Sequence, residues 1–204
     1  MENLELKFGE YSVMSKITFE KPGNFIYPVP AVLVSLQDKS GKKNIVTIAW
    51  TGTVCSDPPM AYISVRHERA SYPMLKETGE FVINLPDESM VKALDYCGVK
   101  SGAKVDKWKD CSLTPGKASV ISAPTIEEAP VSIECVVKDI IPLGSHDMFL
   151  SEVVAVDVDE KYIDKKNAFH MEDAKLIAYS HGDYMSLGKK LGDFGFSVRK
   201  KPRH

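Results

Sequence analysis

Short β-rich runs cut by Pro, Gly and Asp, with no regular alternation of strand and helix patterns, set the tightest limit on how this chain folds. Residues 31–37 (AVLVSLQ) predict a strand, residues 38–43 (DKSGKK) the turn after it, and residues 44–50 (NIVTIAW) its hairpin partner. Asp57-Pro58-Pro59 ends that segment, because two prolines remove two ladder donors. Residues 60–65 (MAYISV) and 81–85 (FVINL) predict further strands. Between them, residues 71–78 read as a helix, with Pro73 in its first turn and Gly79 placed to end it. A second helix is expected over residues 87–96, where Met90, Val91 and Leu94 share a face. Residues 131–141 and 148–159 return to strand character, and an apolar run at 176–179 precedes a Gly-rich aromatic end from Tyr184 through Phe196. Six or seven short strands with two small helices predict a mainly β fold, a closed or half-closed antiparallel barrel rather than a doubly wound sheet.

At 204 residues the chain sits near the upper end of what one core serves, so a single domain over 1–204 is expected. A formal net charge of -2 removes the electrostatic case for nucleic acid. The N-terminal MENLELK has neither a basic nor an apolar leader region, and apolar runs such as 31–34 and 153–156 are far too short to span a bilayer. A cytoplasmic protein without membrane contact is the expectation. The cysteines at 55, 97, 111 and 135 form no C-x-x-C pair, which predicts free thiols and argues against zinc. His170-x-Glu172-Asp173 reads as a polar loop, and no metal site is expected. Neither G-x-G-x-x-G after a strand nor G-x-x-x-x-G-K occurs, so Rossmann and P-loop sites are excluded. The polar segment 98–125 is too long for a passive connection and is expected to cover something. The basic tail 199–204 reads as solvated chain end.

Chemistry concentrates in residues 44–71: a strand, a Thr/Gly/Ser loop, two prolines, a strand, then a basic turn entering a helix. Arg66, His67 and Arg69 cluster just before Ser71, the expected helix start. A helix N-terminus offers unpaired amides and a partial positive charge, and Arg adds a planar fork of donors suited to phosphate. Two readings stay open on these residues alone. The turn binds a phosphate, or the arginines are surface cations and Ser71 is only an N-cap.

Several motifs in order resemble the flavin-reductase-like FMN-binding family, in its flavoredoxin branch. They are Y-P-V-P-A-V-L-V-S from Tyr27, N-x-x-T-x-A-W from Asn44, S-D-P-P from Ser56 and R-x-x-x-x-S-Y from Arg66. F-V-I-N-L-P from Phe81, S-G-x-x-x-D-K from Ser101, G-S-H-D-x-F-L-S-E-V from Gly144 and Y-x-x-G-x-Y-x-x-L-G from Tyr179 continue the match. The resemblance implies an antiparallel FMN-binding split barrel of Greek-key type. It also implies a homodimer with FMN near the subunit seam and NAD(P)H as electron donor. Asn44 and Trp50 would bracket the flavin ring and ribityl chain. The backbone around Thr51, Thr53, Cys55 and Ser56 would follow the isoalloxazine edge. Arg66 and Ser71 would hold the 5′-phosphate, with Lys107 as a second cation. His146, the catalytic candidate, and Tyr179 would close the pocket from the partner subunit or the seam. Ordinary readings stand beside these: Trp50 as core, Lys107 as a solvated loop lysine, His146 as a turn histidine bonded to Asp147, and Cys55 as a small buried thiol. A single phosphate-type helix start, with no second basic cradle for an adenylate, favours FMN over FAD.

Three functions follow from these readings. The first is an NAD(P)H-dependent reductase delivering electrons to free flavin, ferric iron or a redox protein. The second is a flavoredoxin-type carrier without its own NAD(P)H activity. The third is a split barrel that has lost flavin and serves as a dimeric interaction module.

Overall fold

The computed structural model describes residues 11–199. The leader reading rests on residues 1–10, and the tail reading mostly on 200–204; both stretches lie outside the described residues. Residues 26–187 form one compact unit, and the flanking segments 11–25 and 188–199 belong to another. The larger unit carries β1 (Val29–Pro30), β2 (Val32–Gln37), β3 (Lys43–Ile48), β4 (Thr51–Ser56), β5 (Pro59–Arg66) and α1 (Ser71–Thr78). After these come β6 (Glu80–Leu85), α2 (Val91–Val99), α3 (Lys107–Asp110), β7 (Pro115–Gly116) and β8 (Thr125–Ile126). The long strands β9 (Val131–Pro142) and β10 (His146–Val158) and the short pair β11 (Ile177–Ser180) and β12 (Asp183–Ser186) complete it.

Seven strands form one antiparallel sheet in the order β3-β2-β6-β9-β10-β5-β4. Its two edges, β3 and β4, are separated in sequence only by Ala49 and Trp50. Three virtual bonds from Ile48 to Thr51 span at most about 11 Å, whereas six flat strand spacings would cover about 29 Å. The sheet must therefore roll until its edges meet, and this makes the barrel. A smaller sheet of β1, β11 and β12 lies beside it.

The alternation of side chains explains why β2 and β3 read as nearly continuous apolar runs. Val32, Val34, Leu36, Val46 and Ile48 belong to the core cluster that includes Ile63, Phe81 and Phe149. Ala31, Leu33 and Ile45 face the other way and pack with Leu94 and Cys97 of α2 and Trp108 of α3. Both faces are buried, so neither needs polar residues. Helix α1 begins and ends where the sequence places it, with Gly79 at φ 67° as its C-cap. The second helix divides into a 3₁₀ turn at Glu88–Met90, capped by Asp87, and α2, which runs on to Val99.

One expectation fails on β4. Residues 51–56 are not a loop but an edge strand paired to β5, with the hairpin turn at Asp57-Pro58. The Thr/Gly/Ser composition hid this, because β4 packs few large side chains and its ladder to β5 sets its conformation. Segment 98–125 does cover something, namely its own barrel. The Ser119, Val120 and Ile121 amides donate to the buried Glu134 carboxylate at 2.5–3.0 Å, and Ala118 and Ala123 are buried. Among the described residues, no helix is long and apolar enough to cross a membrane.

Glu134 has a second acidic neighbour, Asp157. Burial pushes the Glu134 carboxyl up, but the three amides outweigh it and hold it low. Burial and the adjacent Glu134 raise Asp157 above the ordinary carboxyl range. A raised folded value means that the contribution of Asp157 is fully present below its unfolded value and is lost as pH rises through the folded one. Asp157→Asn supplies a permanent donor in place of that proton. Its melting temperature should exceed wild type at pH 7 and match it at pH 3. A variant less stable at pH 7 contradicts the shared-proton account.

In the smaller unit the Phe19 and Phe25 rings stack at 5.6 Å, and Asp193 pairs with Lys190 at 2.6 Å and Arg199 at 3.7 Å. Val13, Ile17, Leu191 and Phe194 are exposed.

Candidate functional site

Strand β5 ends at Arg66, the chain turns through residues 67–70, and α1 starts at Ser71. Ser71 is the first helical residue and Ala70 holds the N-cap position, without a side-chain cap bond. The Ser71 hydroxyl, on a residue only 1% exposed, has no hydrogen-bond partner. Buried hydroxyls are nearly always satisfied, so this orphan at a helix start favours the phosphate reading over the simple cap.

One carboxylate fixes the turn. Asp147, buried beside the start of β10, accepts from His67 Nε2 at 2.8 Å, and the Tyr72 hydroxyl donates to its other oxygen. These bonds hold the Asp147 carboxyl low and, in return, raise the Tyr72 phenol. Residues 67 and 72 thus tie both ends of the turn to β10 and keep Arg66, Arg69 and Ser71 together. Asp147→Ala should weaken binding of a phosphorylated ligand about tenfold, the scale of one lost hydrogen bond to a charged group. Unchanged affinity would show that the turn holds itself.

Arg66 and Arg69 line two adjoining cavities. The first, about 360 Å³, is bounded by Asn44, Ser71, Gly102 and Lys107. The second, about 390 Å³, is bounded by Trp50, His146, Tyr179 and Tyr184. Each falls in the roughly 300–1,000 Å³ range of small-ligand sites. Arg66 is partly engaged by Glu68 at 3.2 Å, and Arg69 donates to the Gly98 carbonyl at 2.7 Å. The far wall is aromatic: Tyr27 lies 6.3 Å from Trp50 and 6.2 Å from Tyr179, which is 5.6 Å from Tyr184. A cationic corner opening into an aromatic slot can take a ligand with a phosphate at one end and a flat ring at the other.

The structure therefore brings together Asn44, Trp50, Arg66, Ser71, Lys107, His146 and Tyr179. His146 and Tyr179 line the slot within a single chain. His146 shares a hydrogen bond with Ser145 Oγ at 2.8 Å; the expected partner Asp147 is taken by His67. Burial, then Arg66, pushes the His146 imidazole below its ordinary value and favours the neutral ring. Lys107 is no solvated loop lysine. It is 4% exposed, and its ammonium donates to the Ile45 and Cys97 carbonyls at 2.7 and 2.8 Å, which leaves one N–H. Burial lowers its pKa.

Thr51, Thr53, Cys55 and Ser56 lie on β4 and line neither cavity. Thr51 is buried and donates to the Tyr62 carbonyl at 2.7 Å, while Cys55 is partly exposed and donates to the Asp57 carbonyl at 3.4 Å. All four cysteines are free thiols. The His170 loop is a set of ion pairs, to Asp164 at 3.2 Å and Glu172 at 3.5 Å.

Arg69 of the basic turn lines both cavities. Gly102, Asp147 and Tyr184 line or support the site, although the sequence motifs give them no site role. Gly102 belongs to the S-G motif, and its reason is steric: a Cβ there would lie 2.1 Å from Asn44 Oδ1.

Residues 24–188 match the flavin reductase like domain. The flavoredoxin of Desulfovibrio vulgaris (Miyazaki F) superposes with a TM-score of 0.83 at 27% identity, covering 90% of this chain and 100% of that one. The flavoredoxin of Methanosarcina acetivorans does so at 0.81 and 28%, covering 91% and 100%. A protein of Archaeoglobus fulgidus is 29% identical over 144 residues, 70% of this chain and 79% of its own. With the barrel, the phosphate-type corner and the family match in place, the chain belongs to the flavin reductase like domain family.

Proposed function

We propose that the protein is a homodimeric FMN-binding oxidoreductase that takes electrons from NAD(P)H and passes them to a small-molecule or redox-protein acceptor. The observation that carries this is the orphaned Ser71 hydroxyl between Arg66, Arg69 and Lys107 at the head of the aromatic slot. Flavin, when bound, supplies a two-electron centre that accepts hydride and returns electrons. The residues present suit it. Ser71, Arg66 and Arg69 would hold the phosphate, with Lys107 and Asn44 behind them. Trp50, Tyr179 and Tyr184 would flank the ring and exclude water. His146, neutral and oriented through Ser145, would hold a proton at the slot without adding charge. The flavoredoxins among the structural relatives support the flavin part of this reading.

The likeness to flavoredoxins also favours a second reading, an electron carrier without its own NAD(P)H activity. Anaerobic mixing of the FMN-loaded protein with NADH or NADPH decides between them. Bleaching of the flavin absorbance by NAD(P)H, then NAD(P)H oxidation over many turnovers once acceptor is added, supports the reductase; an unbleached protein that a reduced partner protein can reduce supports the carrier. His146→Gln should keep full flavin content and lower turnover. Loss of flavin instead would make His146 a binding residue only.

The exposed Val13, Ile17, Leu191 and Phe194 supply the apolar surface that a two-fold interface would bury. Sedimentation equilibrium should give twice the chain mass at low micromolar concentration. A flavin-loaded species of one chain mass overturns the dimer.

A further inference from the structure

Positive charge gathers at the phosphate corner far beyond what one phosphate needs. Arg66, Arg69, Lys100 and Lys107 line the first cavity, against a single acid, Glu68, already paired with Arg66. A neighbouring cavity of about 550 Å³ shares Asn44, Gly102 and Lys107 with it and adds Lys42, Lys43 and Lys104. The one acid there, Asp106, is occupied at the start of α3, accepting from the Trp108 and Lys109 amides at 3.1 and 3.2 Å. Among the described residues, Lys42, Lys43, Lys100 and Lys104 form no ion pair. Seven cations thus face two engaged acids in a chain whose 26 basic residues are outnumbered by 28 acidic ones. The same wall carries a buried N–H donor, Trp108 Nε1, that has no acceptor.

A phosphate monoester brings only about two negative charges at neutral pH. Arg69 and Lys107, which have no acidic partner, already balance that. The surplus at Lys42, Lys43 and Lys104 lies one wall further on, past the Asn44–Gly102 contact. A concave, single-sign surface of this kind concentrates an anion that continues beyond the first phosphate. Pyrophosphate-linked nucleotides continue in that way, with a second phosphate bonded to the first and an adenosine after it.

We infer that the Lys42–Lys43–Lys104 cavity is a second phosphate subsite that receives the ADP moiety of a dinucleotide. This rests on the flavin phosphate occupying the Ser71 corner, and it revises the sequence expectation that no second basic cradle exists. Two dinucleotides carry the same ADP chemistry: FAD entering as the flavin itself, and a nicotinamide dinucleotide entering beside bound FMN.

The test is the charge-reversed variant Lys42→Glu/Lys43→Glu/Lys104→Glu, whose exposed side chains have no part in the Ser71 corner. Flavin-free protein is titrated with FMN and with FAD, and FMN-loaded protein with ADP and with NADPH. Affinity for FMN should match wild type, which also certifies the fold. Either FAD, or ADP together with NADPH, should bind at least about tenfold more weakly, with the difference shrinking as salt screens the site. The arm that moves identifies the source. Equal behaviour of wild type and variant in every arm overturns the subsite, as does an equal loss for FMN and FAD. Failure of wild type to bind FMN overturns the flavin reading beneath it.

Discussion

Replacing Arg66 and Ser71 together by alanine is expected to weaken FMN binding by about a hundredfold and riboflavin binding by far less. Hydrogen bonds to charged groups contribute about 1.5–3 kcal/mol each, and about 1.4 kcal/mol corresponds to tenfold in affinity. The two residues meet at one point of the fold because β5 ends at Arg66 and α1 begins at Ser71. The Ser71 hydroxyl has no partner in the protein, so its removal leaves no broken internal bond and its loss registers in the ligand alone. Arg66 keeps one contact, to Glu68 on the surface, and exposed pairs of that kind are worth little. The variant should therefore melt close to wild type without ligand. Riboflavin has the same ring and ribityl chain but lacks the phosphate, which makes it the internal control. Equal weakening of both ligands would show that these residues do not touch a phosphate.

Lys107→Met should lower stability by about 2–3 kcal/mol, or about 4–12 °C in melting temperature for a domain of this size. The Lys107 ammonium donates to the last turn of α2 at Cys97 and to β3 at Ile45, so it clamps helix to barrel beneath the phosphate corner. Methionine fills most of the volume but leaves two buried carbonyls without donors. Relief of the ammonium's burial cost offsets part of that loss, which is why the expected effect stays below two full charged bonds. Thermal unfolding of the ligand-free variant measures it. A melting temperature at or above wild type would mean that Lys107 is held in place only for the ligand.

The parts of the fold set by local pattern were readable in the sequence. The β2–β3 hairpin, α1 with its Gly79 cap, and the long β9–β10 pair all follow from alternation and punctuation within a few residues. Strand β4 was not, because Thr51, Thr53 and Ser56 carry no apolar alternation and are strand only by pairing to β5. The Arg66–Ser71 corner was readable because its parts are neighbours in sequence. Its support was not: His67 and Asp147 are 80 residues apart, and Tyr72 and Asp147 75 apart. Adjacent His146 and Asp147 leave β10 on opposite faces, so which of them meets a given partner depends on register. The basic cavity combines residues 42–43 with 104–107, which meet only because α3 packs against β3, and no spacing rule announces that. The motif set carried the family assignment as a whole, whereas the partners of Lys107 are set by tertiary packing and that of His146 by the turn before β10.

Retention of flavin tests the central claim most directly. Purified chain, reconstituted with excess FMN and passed through gel filtration, should carry equimolar flavin by absorbance, released intact as FMN on acid treatment. Protein that emerges colourless, with all the FMN in the small-molecule fraction, would contradict the assignment of the Ser71 corner and the aromatic slot as a flavin site.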